Sequence, residues 1–382
     1  MKMKLEDIYK IADSKEFYNK DELLKTVNQT SSSVEAPKFK EPIQKINAKN
    51  RITILFPIYN EEQFLDYSLD SFFSSYLYPN TSYQILFFLN SCTDNSLNKT
   101  KALLDKYKNT QKKKFPENKY SKLCDKGIEK IFIYAEDQNS YYILNTYTKG
   151  RVNALQVAIR LAQKNHSQIL MSFDTDFILD PLAIYNLSKN AIRKIVKEKK
   201  TVVMTGAPIM VNNKEYTKIQ NWLRNHFVWK DQKYNSLSGC CLVLEPNWLN
   251  ENIENNIIED YALGLKARNQ NFEIIKVEDA RMWGYRTDFK DDIKQLSRSI
   301  KGRYQLLDTH PELKKIILKD HFFIQKFPKR FTYISLSILK DPTNVLKWLW
   351  TFLFVEIAIL KAKKDYKRNP NSIHWKPLDS GR

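Results

Sequence analysis

Asp174 and Asp176 are two carboxylates one position apart, in the stretch SFDTDFILD that follows the apolar run Ile169-Leu170-Met171. Two hard oxygen ligands so placed suit Mg2+ or Mn2+, with a substrate phosphate completing the shell. Side chains alternate along an extended chain, so residues 174 and 176 face one side for as long as the extension persists. The alternative is that both are loop and cap residues. Two further polar clusters also end apolar runs: Tyr59-Asn60-Glu61 after ITILFPI, and Asn90-Ser91 after Ile85-Leu86-Phe87-Phe88-Leu89.

The elements that must position these groups follow from periodicity. ITILFPIYN is continuous in apolar character, as a strand buried on both faces should be. Leu65, Leu69, Phe72, Phe73 and Tyr76 then recur at helical spacing, and Leu155, Ala158, Ile159 and Ala162 form a second helical face. Further strands are expected at 85–89, at Ile131-Phe132-Ile133-Tyr134 after a lysine-rich insertion (105–130), and at 169–171. Strand and helix in alternation argue for an open, mostly parallel α/β sheet flanked by helices. Such sheets bind ligands at the carboxyl ends of their strands, where all three polar clusters fall.

Taken in order, ITILFPIYNEE (52–62), FFLNSCTDNS (87–96), KGRVNALQVAI (149–159), FDTD (173–176), SGCC (238–241), IIEDYALGLKAR (257–268) and QLSRSIKG (295–302) resemble glycosyltransferase family 2 over residues 52–305. The resemblance implies a Rossmann-like GT-A fold and an enzyme, a hexosyl- or N-acetylhexosaminyl-transferase. It implies inverting, divalent-metal-dependent transfer of a sugar from a nucleotide-sugar donor, UDP first and GDP second. The acceptor is a hydroxyl on a glycan, a lipid-linked molecule or another compound.

The same resemblance assigns roles. Pro57, Tyr59, Asn60 and Glu61 stand where the family contacts the nucleoside. Asn90 stands where the family often has an Asp facing uracil; Asn can still accept from the uracil N3–H. Asp94 is either a helix cap or a ligand contact. Lys149 and Arg151 flank Gly150, which allows close backbone approach, and open a helix whose N-terminus favours anions. They are read as a diphosphate-side element. Asp174 and Asp176 are the expected metal ligands, Asp174 also touching the donor. In the pair Glu259-Asp260, Asp260 is the family's general base, taking a proton from the acceptor hydroxyl. The residue-level alternative is that both acids simply favour a helix N-terminus. Gln295 and Arg298 match the family's QxxRWxxG, with Arg298 a diphosphate contact. Ser299 replaces the Trp, which points away from processive synthesis.

Composition bounds the remaining choices. The chain has 382 residues, and Lys+Arg 62 against Asp+Glu 43 gives a net charge of +19. Such a surface favours anionic partners: nucleic acid, an anionic membrane or phosphorylated small molecules. A basic nucleic-acid-binding protein is the non-enzymatic alternative, resting on net charge alone; no nucleic-acid-binding motif accompanies the charge, so nucleic acid is not an expected partner. With 8 glycines in all, collagen-like and low-complexity readings fail. Cys92, Cys124, Cys240 and Cys241 show no zinc spacing, and Cys240-Cys241 is read as core. His310 is read as structural. Trp283 and Tyr285 either line the acceptor side or pack in the core. MKMKLEDIYK lacks the apolar core of a signal peptide, so a reducing, cytoplasmic location is expected, extending to the membrane face.

Three segments are expected: an N-terminal helical extension and linker (1–50), a catalytic domain (51–310) and a basic, aromatic helical tail (311–382). In the tail, VLKWLWTFLFVEIAIL (345–360) is shorter than the roughly 20 residues a bilayer span needs. It either docks on an anionic membrane surface, packs on the domain, or forms a homo-oligomer contact. A polyprenyl-phosphate sugar synthase is the second enzymatic reading, and the tail is its one argument.

Overall fold

The computed structural model describes residues 50–107, 111–112, 128–136, 139–147, 149–211, 237–285, 289–320 and 344–370, with Lys25, Leu339 and Pro342. Nearly all of the expected N-terminal extension, most of the lysine-rich insertion and the segment 321–338 lie outside the described residues.

Strand β1 (Asn50–Ile58) is the spine. Ile52, Ile54, Phe56 and Ile58 point to one face, against helix α1 (Leu65–Phe73). Leu55 points to the other, into a second cluster formed with the buried side of helix α3 (Arg151–Lys164). A strand covered on both faces has no polar face to offer, which is why ITILF reads as unbroken apolar sequence. Two parallel neighbours flank it: β2 (Thr81–Asn90), which leads to helix α2 (Ser96–Tyr107), and β6 (Ile169–Phe173). Phe56 stacks between Phe87 of β2 and Phe173 of β6, at centroid distances of 5.5 and 5.7 Å. This row of rings seats the strand ends just before residues 59, 90 and 174.

The remaining strands are β3 (Gln111–Lys112), β4 (Ile128–Glu136), β5 (Asn139–Thr146), β7 (Ile178–Leu179), β8 (Val202–Val211), β9 (Cys241–Leu244) and β10 (Glu273–Tyr285). The order across the sheet is β3-β4-β5-β2-β1-β6-β9-β8-β10-β7. Strands β1, β2, β3, β5, β6, β8 and β10 run one way, and β4, β7 and β9 run the other. The sheet is therefore mixed and mostly parallel, with helices on its faces, as the alternation of elements implied. Strand β9, read in sequence only as the motif SGCC, lies antiparallel between β6 and β8 and carries that motif to the edge beside Asp174.

Helices α4 (Ala183–Ala191), α5 (Pro246–Asn252), α6 (Glu259–Asn269), α7 (Phe289–Thr309), α8 (Lys314–Asp320) and α9 (Asn344–Arg368) complete the layers. Gly302 sets the distance between α7 and the turn before α6. A Cβ there would lie 2.5 Å from Ile258 Cγ1 and 2.7 Å from Ile257 Cγ2, so only glycine permits the approach. The expected tail helix is present as α9. It packs on α7 through Ala358 and Ala362 against Ile300. Among the described residues, no helix is long and apolar enough to cross a membrane.

Candidate functional site

Strand β6 ends at Phe173, and residues 174–177 turn. The Asp174 N–H is held by the Cys240 carbonyl at 3.0 Å. The extended geometry thus stops before the two acids. Their positions come from this turn and not from strand alternation, which corrects the geometric basis of the sequence reading. Asp174 is half-buried and Asp176 is exposed.

Arg151 gathers the site. It is the first residue of α3, after Gly150, whose φ of +108° strongly favours glycine. Its Nη1 lies 3.0 Å from Asp174 Oδ1, and its Nε lies 3.2 Å from Glu259 Oε1. Its Nη2 donates to the carbonyl of Gly239. Asp260 stands beside them: a Cβ on Gly239 would meet Asp260 Oδ2 at 2.8 Å and Arg151 Nη1 at 3.1 Å. The other Asp260 oxygen, Oδ1, accepts the Tyr261 N–H at 2.8 Å, which fixes the carboxylate plane. Arg151, read from sequence as a diphosphate-side residue, forms ion pairs with two carboxylates and donates to a backbone carbonyl in the structure.

The electrostatics follow from crowding acids in a partly desolvated space. Burial pushes the Asp174 carboxyl up to about 7; Arg151 opposes this, and Asp176, Glu259 and Asp260 reinforce it. Burial also raises Glu259, with Arg151 opposing. Burial pulls the Arg298 guanidinium below its ordinary range, although Glu259, Asp260 and Asp174 favour its charge. Arg298 of α7 therefore lies within the field of the same acids. Burial acts against the Arg151 charge, but Asp174, Glu259 and Asp260 outweigh it and hold the guanidinium protonated.

Four ionised carboxylates (Asp174, Asp176, Glu259, Asp260) against two guanidiniums (Arg151, Arg298) would leave two negative charges in excess. Among the described residues, no group of three or more His, Cys, Asp or Glu side chains comes together as a metal cage. The charge excess suits a hard divalent cation held by one or two carboxylates with its remaining positions left to phosphate and water. Asp174 and Asp176 have the oxygen chemistry for it.

At the ends of β1 and β2 the loops are knitted together. Asn60 has φ +54°. Its Nδ2 donates to Thr93 Oγ1 at 3.1 Å, and its Oδ1 accepts the Thr93 N–H at 2.8 Å. Glu61 is buried; its N–H donates to Ser96 Oγ at 3.0 Å and its carbonyl accepts from Phe64 and Leu65. Asp94 accepts the Glu62 N–H at 3.0 Å and the Ser96 N–H at 3.1 Å, which is the capping alternative. Asn60 and Glu61, expected at the nucleoside, thus also brace the loop that would carry it. Pro57 and Tyr59 are half-buried.

Asn90 is different. Only 4% of it is exposed, and among the described residues its Oδ1 has no hydrogen-bond partner. Leaving a buried acceptor unsatisfied costs about 1–3 kcal/mol. Lys149 and Gln295, by contrast, are exposed. His310 bridges Glu254 (2.6 Å) and Glu312 (2.9 Å), a structural pin as expected. Cys240 and Cys241 are buried, and burial pushes both thiols up, which keeps them unreactive. Trp283 is buried, on the core side of its two readings. Gly239 was the functional residue without an assigned role. The scarcity of glycine was its signal, since a chain with 8 glycines places them where a side chain cannot go.

No protein-family model matches the chain, and no curated protein matches it. Among solved structures, it is similar to a mannosyltransferase from Pyrobaculum calidifontis, PcManGT, in complex with GDP-Man and Mn2+. The identity is 14%, coverage is 95% of this chain and 99% of that one, and the TM-score is 0.49. It is also similar to S. aureus TarS 1–349 in complex with UDP-GlcNAc, at 14% identity, 85% and 88% coverage and a TM-score of 0.42.

Proposed function

We propose that this chain is a metal-dependent, inverting glycosyltransferase that moves a sugar from a nucleotide-sugar donor to an acceptor hydroxyl. The observation that carries the proposal is the meeting of Asp174, Glu259 and Asp260 around Arg151, at the carboxyl ends of parallel strands. Sites of open α/β sheets form at that edge. The unpartnered Oδ1 of Asn90 supports a nucleobase N–H donor there, as the N3–H of uracil would supply. Guanine N1–H would serve that acceptor equally, so placing UDP before GDP rests on the family resemblance alone.

The chemistry asked of the residues is limited. The acceptor oxygen attacks the anomeric carbon as the bond from that carbon to the diphosphate breaks. Asp260, oriented by the Tyr261 N–H, takes the acceptor proton, a contribution of about 10²–10⁴-fold. The leaving bond's electron pair goes to the diphosphate. Arg298 places positive charge near that developing negative charge. Arg151 keeps Glu259 and Asp174 from drifting, so the base and the donor side stay in register. Asp174 and Asp176 are the residues that would hold a divalent cation, which when bound would supply charge neutralisation for the nucleoside diphosphate. Ser299, standing where the resembling family has Trp, favours transfer of single sugars over processive synthesis.

Thermal-shift measurements with UDP- and GDP-sugars, each with Mn2+, Mg2+ or EDTA, test the reading. A ligand binding only the native state raises the melting temperature, so donor identity shows without the acceptor. Stabilisation by a UDP-sugar with Mn2+ but not with EDTA is the expected result. No stabilisation by any nucleotide sugar, with or without metal, would overturn it.

A further inference from the structure

Helix α9 has two apolar faces, and α7 covers one of them. Val355, Ala358 and Ala362 are buried, and the last two meet Ile300 of α7. At 100° per residue the opposite side of the helix carries Leu346, Leu349, Leu353, Ile357 and Leu360. These are 66, 61, 56, 43 and 65% exposed. A soluble surface has no use for five large aliphatic side chains in one line along four turns. The helix then continues into Lys361, Lys363, Lys364, Lys367 and Arg368, all exposed. Of these, Lys364, Lys367 and Arg368 fall on the same outward side as the leucines. The helix has two acids: Glu356 is exposed on the flank of the stripe, and Asp365 acts on Lys301 of α7.

We infer that α9 is a docking helix for an anionic lipid surface, lying in the plane of the interface with its leucine stripe among the acyl chains and its basic turns on the headgroups. The arrangement matches what an in-plane helix needs: an apolar stripe, adjacent basic residues and a length set by contact instead of by span. With 25 residues the helix is about 37 Å long. Its stripe faces away from α7, so a deformable flat partner could meet it along the length of the helix. Charge decides between lipid and a second copy of the chain. A second copy brings the same formal +19, so pairing the two faces sets positive surface against positive surface. Anionic headgroups attract that surface instead.

The inference stands apart from the transferase reading, because nothing in it uses the carboxylate site. It has a consequence for that site. Helix α7 presents Ile300 to α9 and Arg298 to the acids around Asp260, so α9 would hold the acceptor side one helix away from the membrane.

Flotation of the full-length protein with phosphatidylcholine vesicles, and with phosphatidylcholine vesicles containing phosphatidylglycerol, tests the inference at about 50 mM and about 500 mM salt. Binding to the anionic vesicles at low salt, weakened at high salt, is expected. The triple substitution Lys364→Glu, Lys367→Glu, Arg368→Glu should weaken it by about 100-fold or more. Leu349→Asn, Leu353→Asn, Leu360→Asn should weaken it by at least about tenfold. Both triples alter exposed positions, so each should melt within a few degrees of the parent, which shows that lost binding is not lost folding. Equal binding to both vesicle types, or anionic binding that neither triple changes, would overturn the inference. So would a dimer, seen by light scattering, that ignores vesicles and dissociates in the leucine variant.

Discussion

Gly239→Ala tests the heart of the site with a single methyl group. The glycine φ lies outside the left-handed range, so alanine meets no backbone penalty and the substitution tests space alone. The new Cβ would sit 2.8 Å from Asp260 Oδ2, 3.1 Å from Arg151 Nη1 and 3.4 Å from Asp260 Cγ. Relieving the first contact requires a shift of roughly 0.5 Å, since ordinary carbon–oxygen packing needs more than 3 Å. Neither neighbour moves freely. Asp260 Oδ1 is tied to the Tyr261 N–H, and Arg151 is tied to Asp174 and Glu259. A misplacement of about 1 Å in a reacting constellation costs on the order of 100-fold, so half of that should cost about tenfold. Tenfold in turnover corresponds to about 1.4 kcal/mol in the barrier. The assay is steady-state turnover with donor and acceptor saturating, beside calorimetric titration of the donor nucleotide. Turnover about tenfold lower with nucleotide affinity within about twofold is expected, because the Asn90 end of the site is untouched. Parent-like turnover on the true acceptor would refute the placement of Asp260 against Gly239 as the catalytic arrangement.

Asp260→Asn keeps the size of the side chain and removes the proton acceptor, so turnover should fall by about 100-fold or more with donor affinity little changed; near-normal turnover excludes Asp260 as the base. Asp176→Ala should abolish the Mn2+ dependence of donor binding together with activity, and a variant that still loses affinity on adding EDTA would remove Asp176 from the metal site. His310 carries a pH signature: partial burial pulls its imidazole down, but the Glu254 and Glu312 carboxylates outweigh this and raise it. A raised folded-state pKa contributes stability that is present below the ordinary histidine range and fades as pH rises through the raised value. The glutamates are 44% and 57% exposed, so screening holds the contribution below about 1 kcal/mol. The melting-temperature gap between the parent and His310→Ala should therefore narrow from acid toward alkaline pH; a gap that widens is the contrary result.

The sequence by itself determined the class of fold, because unbroken apolar runs alternating with helical periodicity admit few solutions other than a mostly parallel, helix-covered sheet. It also determined where polar chemistry concentrates. Asn90 and Asp174 fall at strand ends because burial on both faces excludes them from the strand interiors. Sequence did not reveal β9. Four residues, Cys241–Leu244, carry too short a pattern to separate a strand from a buried loop, and their place between β6 and β8 depends on pairing partners about 40–70 residues away in sequence. Nor did it reveal the ion pairs of Arg151. A basic residue at a helix start reads as an anion site, since local chemistry knows only the helix dipole. The fold brings Asp174 from one strand end and Glu259 from another helix to that guanidinium, 23 and 108 residues away along the chain. The tail shows the same division. Its composition allowed either packing or docking, and α9 does pack on α7. Only the tertiary contact sorted one aliphatic helix into a covered side and an exposed one, because which face α7 occupies is a property of α7 as much as of α9.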